Sequence, residues 1–304
     1  MENYGWLLPA PFLGGYNWMT PYMVDIDEDG DYDLFSGEVT GKISFLRNDG
    51  TPNMADFNYI TNCFDSIQIN PQYGGFTSIC FYDIDADNDL DMFVSGFFPP
   101  PALNSGILFY RNIGNTQNYN FILEDSAFAG IAYISPIYPD FCDIDADGDY
   151  DLFMGHSETQ YYRNISFYLN TGTPQEPQME LVTHNFASIE EDGIAHPRFC
   201  DIDDDGDFDL FVGVGTNFGL GSPYSNGKIS FYENIGTPEV YDFDLISTFY
   251  DSIYVQDEAS PCFADIDNDG DYDLFVGKGD DTAYFAVGSM GGDLVFYQNN
   301  GTAA

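Results

Sequence analysis

The chain has 304 residues, with 51 Asp and Glu against 7 Lys and Arg and a formal net charge of −44. Such a surface repels phosphate backbones and anionic headgroups, which argues against nucleic-acid binding and attachment to acidic membranes. Yet 44% of the residues are hydrophobic and 17% aromatic, so this is a core-forming chain rather than a disordered acidic one.

The opening residues, Met1-Glu2-Asn3-Tyr4-Gly5-Trp6, show no basic stretch leading into an apolar core, so no export signal is visible. No later stretch reaches the roughly 18 uninterrupted apolar residues of a membrane span, and membrane insertion is not expected. Tyr4 to Phe12 reads as a lone strand. Just beyond it begins a motif that occurs five times: DIDEDGDYDLF from Asp25, DIDADNDLDMF from Asp83, DIDADGDYDLF from Asp143, DIDDDGDFDLF from Asp201 and DIDNDGDYDLF from Asp265. The spacings are 58, 60, 58 and 64 residues. A second pattern follows each copy: ISFLRNDGT from Ile43, ILFYRNIGN from Ile107, ISFYLNTGT from Ile165, ISFYENIGT from Ile229 and LVFYQNNGT from Leu294. A two-part signature at near-constant spacing marks a repeat protein.

Each unit reads as four short strands. In the fourth, Pro197-Arg198-Phe199-Cys200 enters the acidic loop and Asp209 to Gly213 leaves it. Lys228 to Glu233 then alternates, Asn234 to Pro238 turns, and Tyr241 to Ser247 alternates again. Four antiparallel strands in about 60 residues make a β-propeller blade. The expected fold is therefore all-β, a single five-bladed propeller over residues 1–304, with repeats at about 19–64, 76–129, 137–190, 196–251 and 259–304. The last repeat stops after its third strand, so the N-terminal strand, about residues 3–13, is expected to complete it and close the ring. A fragment of a larger ring, or a subunit donating that strand to a neighbour, is the competing reading. Cys80, Cys142, Cys200 and Cys262 stand one or three residues ahead of the acidic motif, on one side of a strand, and are read as buried packing.

Asp-x-Asp-x-Asp-Gly-Asp-x-Asp resembles the calcium loops of FG-GAP repeats, also called VCBS-type repeats, of integrin α-subunit propellers and many secreted bacterial proteins. The resemblance implies Ca²⁺ held by side chains at loop positions 1, 3, 5 and 9 and the carbonyl at position 7. Carried over, the sites are Asp25, Asp27, Asp29 and Asp33 with the Asp31 carbonyl, then Asp83, Asp85, Asp87 and Asp91 with that of Asp89. The third is Asp143, Asp145, Asp147 and Asp151 with the carbonyl of Asp149. The fourth is Asp201, Asp203, Asp205 and Asp209 with Asp207, and the fifth Asp265, Asp267, Asp269 and Asp273 with Asp271. About five Ca²⁺, one per repeat, follow, together with an extracellular or cell-surface address.

Ligand chemistry points the same way. Hard carboxylate oxygens suit Ca²⁺, whereas Zn²⁺ would call for His or Cys. Positions 1, 3 and 5 share a direction along an extended segment, and a left-handed Gly at position 6 returns position 9 to the same centre. Asn88 replaces that Gly in the second loop and tolerates the conformation, so this site is expected to be slightly weaker. An EF-hand is excluded, since its bidentate Glu at position 12 is replaced by Ser36, Val94, Met154, Val212 and Val276. Ile at position 2 and Tyr32, Leu90, Tyr150, Phe208 and Tyr272 at position 8 read as packing between blades.

The loops on the opposite face differ between repeats. They carry Phe97, Phe98, Tyr161, Tyr162, Phe218, Tyr224, Tyr284 and Phe285, candidates for stacking on a sugar or a protein partner or for pinning their own loops. Three functions remain open: a binding or adhesion module for carbohydrate or an extracellular protein, a structural subunit assembling through the N-terminal strand, and a polysaccharide lyase or glycosidase. The catalytic reading has little to stand on. The three His (His156, His184, His196) form no hydrolase pattern, His156 reads as a surface loop residue, and Glu38, Glu158 and Asp280 are the available carboxylates.

Overall fold

Apolar residues alternate on both sides of each acidic loop, and this alternation builds hairpins. The computed structural model describes residues 2–3, 18–70, 75–98, 105–133, 136–156, 165–191, 193–215, 226–256, 258–279 and 293–301. A short strand β1 (Glu2–Asn3) comes first. Blade 1 follows with β2 (Thr20–Val24), β3 (Asp33–Gly37), β4 (Ile43–Asn48) and β5 (Phe57–Thr61). Blade 2 has β6 (Ser78–Tyr82), β7 (Asp91–Phe97), β8 (Ser105–Asn112) and β9 (Phe121–Asp125). Blade 3 has β10 (Ile137–Cys142), β11 (Asp151–His156), β12 (Ile165–Asn170) and β13 (Met179–Thr183). Blade 4 has β14 (Ile194–Cys200), β15 (Asp209–Gly215), β16 (Asn226–Asn234) and β17 (Phe243–Ser247), with β18 (Val255–Gln256) paired to the start of β16. Blade 5 has β19 (Ala259–Ala264), β20 (Asp273–Lys278) and β21 (Leu294–Gln298).

The first four-strand sets pair in chain order, and blade 5 is completed by β1 lying antiparallel on β21, with Glu2 opposite Gln298 and Asn3 opposite Tyr297. The strands β2, β6, β10, β14 and β19 contact one another around the ring, β19 meeting β2, so the five blades form a closed five-bladed propeller. The strand that completes blade 5 is the chain's own N-terminal one. Its described part is Glu2–Asn3, and the remainder of the expected strand lies outside the described residues.

Aromatic residues fill the space between blades in a repeated pattern. Phe35, Phe93, Phe153, Phe211 and Phe275 on the second strands are at most 1% exposed. The first four stack on a third-strand Phe of their own blade, as Phe35 does on Phe45 with ring centroids 4.4 Å apart, and Phe275 meets Phe296 tilted at 4.8 Å. The first four also meet the next blade, through Phe81, Phe141, Phe199 and Phe263 at 4.4–4.7 Å. A one-turn 3₁₀ segment after the fourth strand adds Phe64, Phe128, Phe186 or Tyr250 edge-on to the same ring. Aromatic pairs contribute about 0.5–1.5 kcal/mol beyond their buried area, so this ladder glues blade to blade.

A polar pin joins all five blades at the axis. Arg198 Nη1 (blade 4) donates to Asp140 Oδ1 (blade 3) at 2.7 Å, and Arg198 Nε donates to the Pro261 carbonyl (blade 5) at 3.2 Å. Tyr82 OH (blade 2) donates to the same Asp140 oxygen at 2.8 Å, and the guanidinium lies 5.1 Å from the centre of the Tyr22 ring (blade 1). Cys80, Cys142, Cys200 and Cys262 are buried free thiols, and desolvation pushes each of them up, Cys262 to about 11, which suits packing rather than redox chemistry.

Candidate functional site

Each acidic loop is the turn of the hairpin between a blade's first and second strands. Register sets Val24 opposite Asp33, and likewise Tyr82 opposite Asp91, Cys142 opposite Asp151, Cys200 opposite Asp209 and Ala264 opposite Asp273. Position 9 is thus the first residue of the second strand, fixed by the sheet. The loop itself is not extended as the alternation implied. The residue at position 4 is left-handed in every copy (Glu28, Ala86, Ala146, Asp204 and Asn268, φ 53–59°), as is position 6 (Gly30, Gly148, Gly206 and Gly270, φ 94–96°, and Asn88, φ 72°). Two left-handed residues coil the chain and bring ligating oxygens of positions 1, 3 and 5 within 4.8 Å of one another in all five loops.

Backbone N–H groups hold this coil. Asp25 Oδ1 accepts from Asp29 N at 3.1 Å and its Oδ2 from Gly30 N at 3.0 Å, while Asp29 Oδ1 accepts from Asp31 N at 3.2 Å. The other four loops repeat all three bonds. At position 9, Oδ1 accepts the N–H of the Asn closing the third strand: Asn48, Asn112, Asn170, Asn234 or, in blade 5, Asn299 just past β21, at 2.7–2.8 Å. The second oxygen, Oδ2 of Asp33, Asp91, Asp151, Asp209 and Asp273, is buried without any hydrogen-bond partner in all five blades.

These carboxylates pay for their company. Desolvation first, then neighbouring Asp charges, pushes Asp33, Asp91, Asp151, Asp209 and Asp273 up to about 7, with the Asn N–H pulling the other way. The same desolvation and crowding raise Asp31, Asp89, Asp149 and Asp207 to about 6. Two carboxylates about 5 Å apart repel by about 3 kcal/mol at an effective dielectric of ~20, so a loop of four or five strongly favours a cation. The oxygen-only donor set and the orphaned position-9 oxygen fit a hard dication.

The loops are not equivalent. In loop 2, Arg111 forms an ion pair with Asp85 Oδ2 and a second one with Glu124. In loop 5, Gln298 Nε2 donates to Asp267 Oδ2 at 2.6 Å. Position 8 divides: Tyr32, Leu90 and Tyr150 pack against the core clusters, Tyr150 lying 5.1 Å from Tyr82 of the preceding blade, whereas Phe208 and Tyr272 are each 39% exposed. Tyr32 borders two clefts that also touch Asp265 of the adjacent loop. Position 2 is buried as expected at Ile26, Ile84, Ile144 and Ile266, and half-buried at Ile202.

On the opposite face, Phe97 and Phe98 are half-buried. Phe97 extends β7 opposite Ser105. Tyr161, Tyr162, Phe218, Tyr224, Tyr284 and Phe285, with Glu158 and Asp280, lie outside the described residues. Glu38 is buried and accepts from Thr40 Oγ1 at 2.5 Å. His156 is not a surface residue. It ends β11 fully buried, stacked on Tyr133, with Nε2 3.0 Å from Ser166 Oγ. Sequence reasoning passed over the third-strand Asn, the position-4 residues and the His196–Glu258 pair, whose Nε2 and Oε1 lie 2.7 Å apart. The invariant Asn before Gly in the second pattern was the one signal available for the first of these.

A family profile described as FG-GAP-like repeat matches residues 25–94 and 143–212, spanning the first two and the next two acidic loops. These two matched stretches are FG-GAP-like repeats within the five-bladed propeller. Among solved structures, this propeller is similar to an endo-arabinase from Bacteroides thetaiotaomicron, with 12% identity, TM-score 0.54 and coverage of 94% of this chain and 96% of that one. It is also similar to a β-fructofuranosidase from Schwanniomyces occidentalis, with 8% identity and TM-score 0.56, covering 94% of this chain and 57% of that one. An Agrocybe aegerita lectin gives 16% identity and TM-score 0.42, with 91% of this chain and 66% of that one covered. The chain therefore spans less than two thirds of the lectin and of the fructofuranosidase. At these identities the likeness is one of fold. A sequence comparison with curated proteins gives no match.

Proposed function

We propose that this FG-GAP propeller is a calcium-stabilised binding module of the extracellular space or cell surface, with one Ca²⁺ in each Asp loop and a carbohydrate ligand on the opposite face. The observation that carries the metal assignment is the buried, unpartnered Oδ2 of Asp33, Asp91, Asp151, Asp209 and Asp273, recurring beside each cluster of positions 1, 3 and 5. Side chains at positions 1, 3, 5 and 9 and the carbonyl at position 7 would hold the ion. Bound Ca²⁺ would offset two of the loop's negative charges, join the two strands of the hairpin to its tip and couple metal to folding. FG-GAP repeats are typical of extracellular proteins, which supports the address, and among the described residues no helix is long and apolar enough to cross a membrane.

The carbohydrate reading rests on fold analogy with the arabinase and the fructofuranosidase and on the uneven face opposite the loops. Elemental analysis after dialysis, paired with thermal melts in millimolar Ca²⁺ and in excess chelator, tests the metal assignment. Five Ca²⁺ per chain and a large chelator-induced fall in Tm are expected; no bound metal and an unchanged Tm would overturn it.

A further inference from the structure

Four of the five blade interfaces are filled by an aromatic ring from the 3₁₀ turn. Between blades 1 and 2, Phe64 touches Phe35 and Phe45 on one side and Tyr119 and Phe121 on the other. Between blades 3 and 4, Phe186 meets Phe153, Phe167, Tyr241 and Phe243 in the same way. Phe128 packs on Phe93 and Phe109, and Tyr250 on Phe211 and Phe231.

Between blades 5 and 1 the same cage stands with no such ring among the described residues. Register places Phe275 and Phe296 where blade 1 has Phe35 and Phe45, and Phe57 where blade 2 has Phe121, with Ala55 in the place of Tyr119. Ala55, Phe57, Ile266, Phe275 and Phe296 wall a cavity of about 170 Å³. Its lining includes Met54, which is 71% exposed, so the cavity opens to solvent. This seam lacks a second ring as well. Met23, in one cluster with Phe275, holds the first-strand position of Phe81, Phe141, Phe199 and Phe263.

Size and wall chemistry define what fits. Dry apolar cavities of about 150 Å³ hold benzene, and Phe57, Phe275 and Phe296 offer aromatic surfaces to a guest ring. Asn53, Asp267 and Gln298 border the cavity on the Asp-loop side. Asn53 Nδ2 donates to the Asp267 carbonyl at 3.0 Å and Gln298 Nε2 to Asp267 Oδ2 at 2.6 Å. With those amide nitrogens engaged, the edge offers mainly acceptors, which suit a hydroxyl donor and repel a carboxylate. We infer that the gap between blades 5 and 1 binds a small neutral phenol, its ring among Phe57, Phe275 and Phe296 and its hydroxyl toward the acceptors at the edge. The ligand supplies at this interface the ring that the chain supplies at the other four. The site lies at the blade seam, away from the face of the carbohydrate reading, and does not depend on it.

Fluorine NMR of para-fluorophenol with the full chain in millimolar calcium reads the site directly. Wild type is expected to broaden the signal saturably, with reversal by excess phenol and binding of para-fluorobenzoate weaker by about tenfold. Ala55→Tyr puts into the cavity the side chain that blades 2 and 4 carry at this position, Tyr119 and Tyr241. It is expected to weaken binding by about tenfold or more and to raise the ligand-free Tm. No saturable broadening by wild type would overturn the site, as would wild-type affinity in Ala55→Tyr or equal binding of para-fluorobenzoate. Should Ala55→Tyr fail to fold, Phe57→Met decides, since blade 3 carries Met179 at that position. A fall of about threefold is expected there, and an unchanged affinity overturns the site.

Discussion

The N–H of Asn48 donates to Asp33 Oδ1 at 2.7 Å, tying the end of a third strand to the last residue of an acidic loop. The same Asn offers its side-chain oxygen to Gly50 N at 3.2 Å and Asp56 N at 2.8 Å, so one residue braces both turns on this face of the blade. The two signature patterns are thus halves of one device. Asn170→Ala should remove two bonds of the second turn, to Gly172 and Gln178, while keeping its backbone bond to Asp151. The expected result is a loss of about 1–3 kcal/mol in urea denaturation with five Ca²⁺ retained.

Asp151→Ala acts on the other half. It removes the position-9 ligand together with the acceptor for Asn170 N. Metal analysis should read one Ca²⁺ fewer per chain, and the Tm in calcium should fall by several degrees, with little change in chelator.

Loop 2 should release its ion first. The Arg111 guanidinium already occupies Asp85, and Asn88 stands where the other loops have Gly. Arg111→Gln is expected to tighten the weakest site severalfold in a chelator titration. An unchanged weakest site would show that Arg111 turns away when calcium arrives.

The pH dependence should reverse with calcium. Without metal, the five position-9 carboxylates titrate near 7 when folded, against about 3.9 in an unfolded chain. Between those values the folded state binds more protons, so stability is fully present at acid pH and lost as pH rises through about 7. Melts in chelator should therefore show Tm falling from pH 5 to pH 8. With saturating Ca²⁺, protons compete with the ion, and Tm should instead fall as pH drops from 7 to 5.

Arg198→Met leaves Asp140 buried with its remaining donors, Tyr82 OH and Phe199 N. Breaking a buried pair in this way typically costs about 3–5 kcal/mol. Because the pin touches every blade, the loss should appear as one lowered cooperative transition by fluorescence and by circular dichroism, with the calcium count unchanged.

Repetition made the blades and the acidic loops legible: five copies of Asp at fixed offsets identify the hairpin turn without any coordinates. What escaped was what packing between blades sets rather than local periodicity. Arg198, Asp140, Tyr82 and Tyr22 come from four blades and share no motif, though an Arg in a strand of a chain with 7 basic residues was a hint. The 3₁₀ turns bearing Phe64, Phe128 and Phe186 are single turns placed by packing against the second-strand Phe, and local pattern gives them no helical period. His156 looked like a loop residue because Gly155 precedes it, yet β11 runs one residue further and buries it.

The pairing of Glu2 with Gln298 also has a mechanical side. The two strands run antiparallel with those residues at the same end, so a pull applied at Glu2 and Gln298 would open the pair bond by bond, as a zipper does, rather than shear all bonds together. A tether to a wall or a neighbouring domain through both of these points would give the ring a compliant seam at one blade. Anchored through only one of them, the same ring would carry force without stressing its closure.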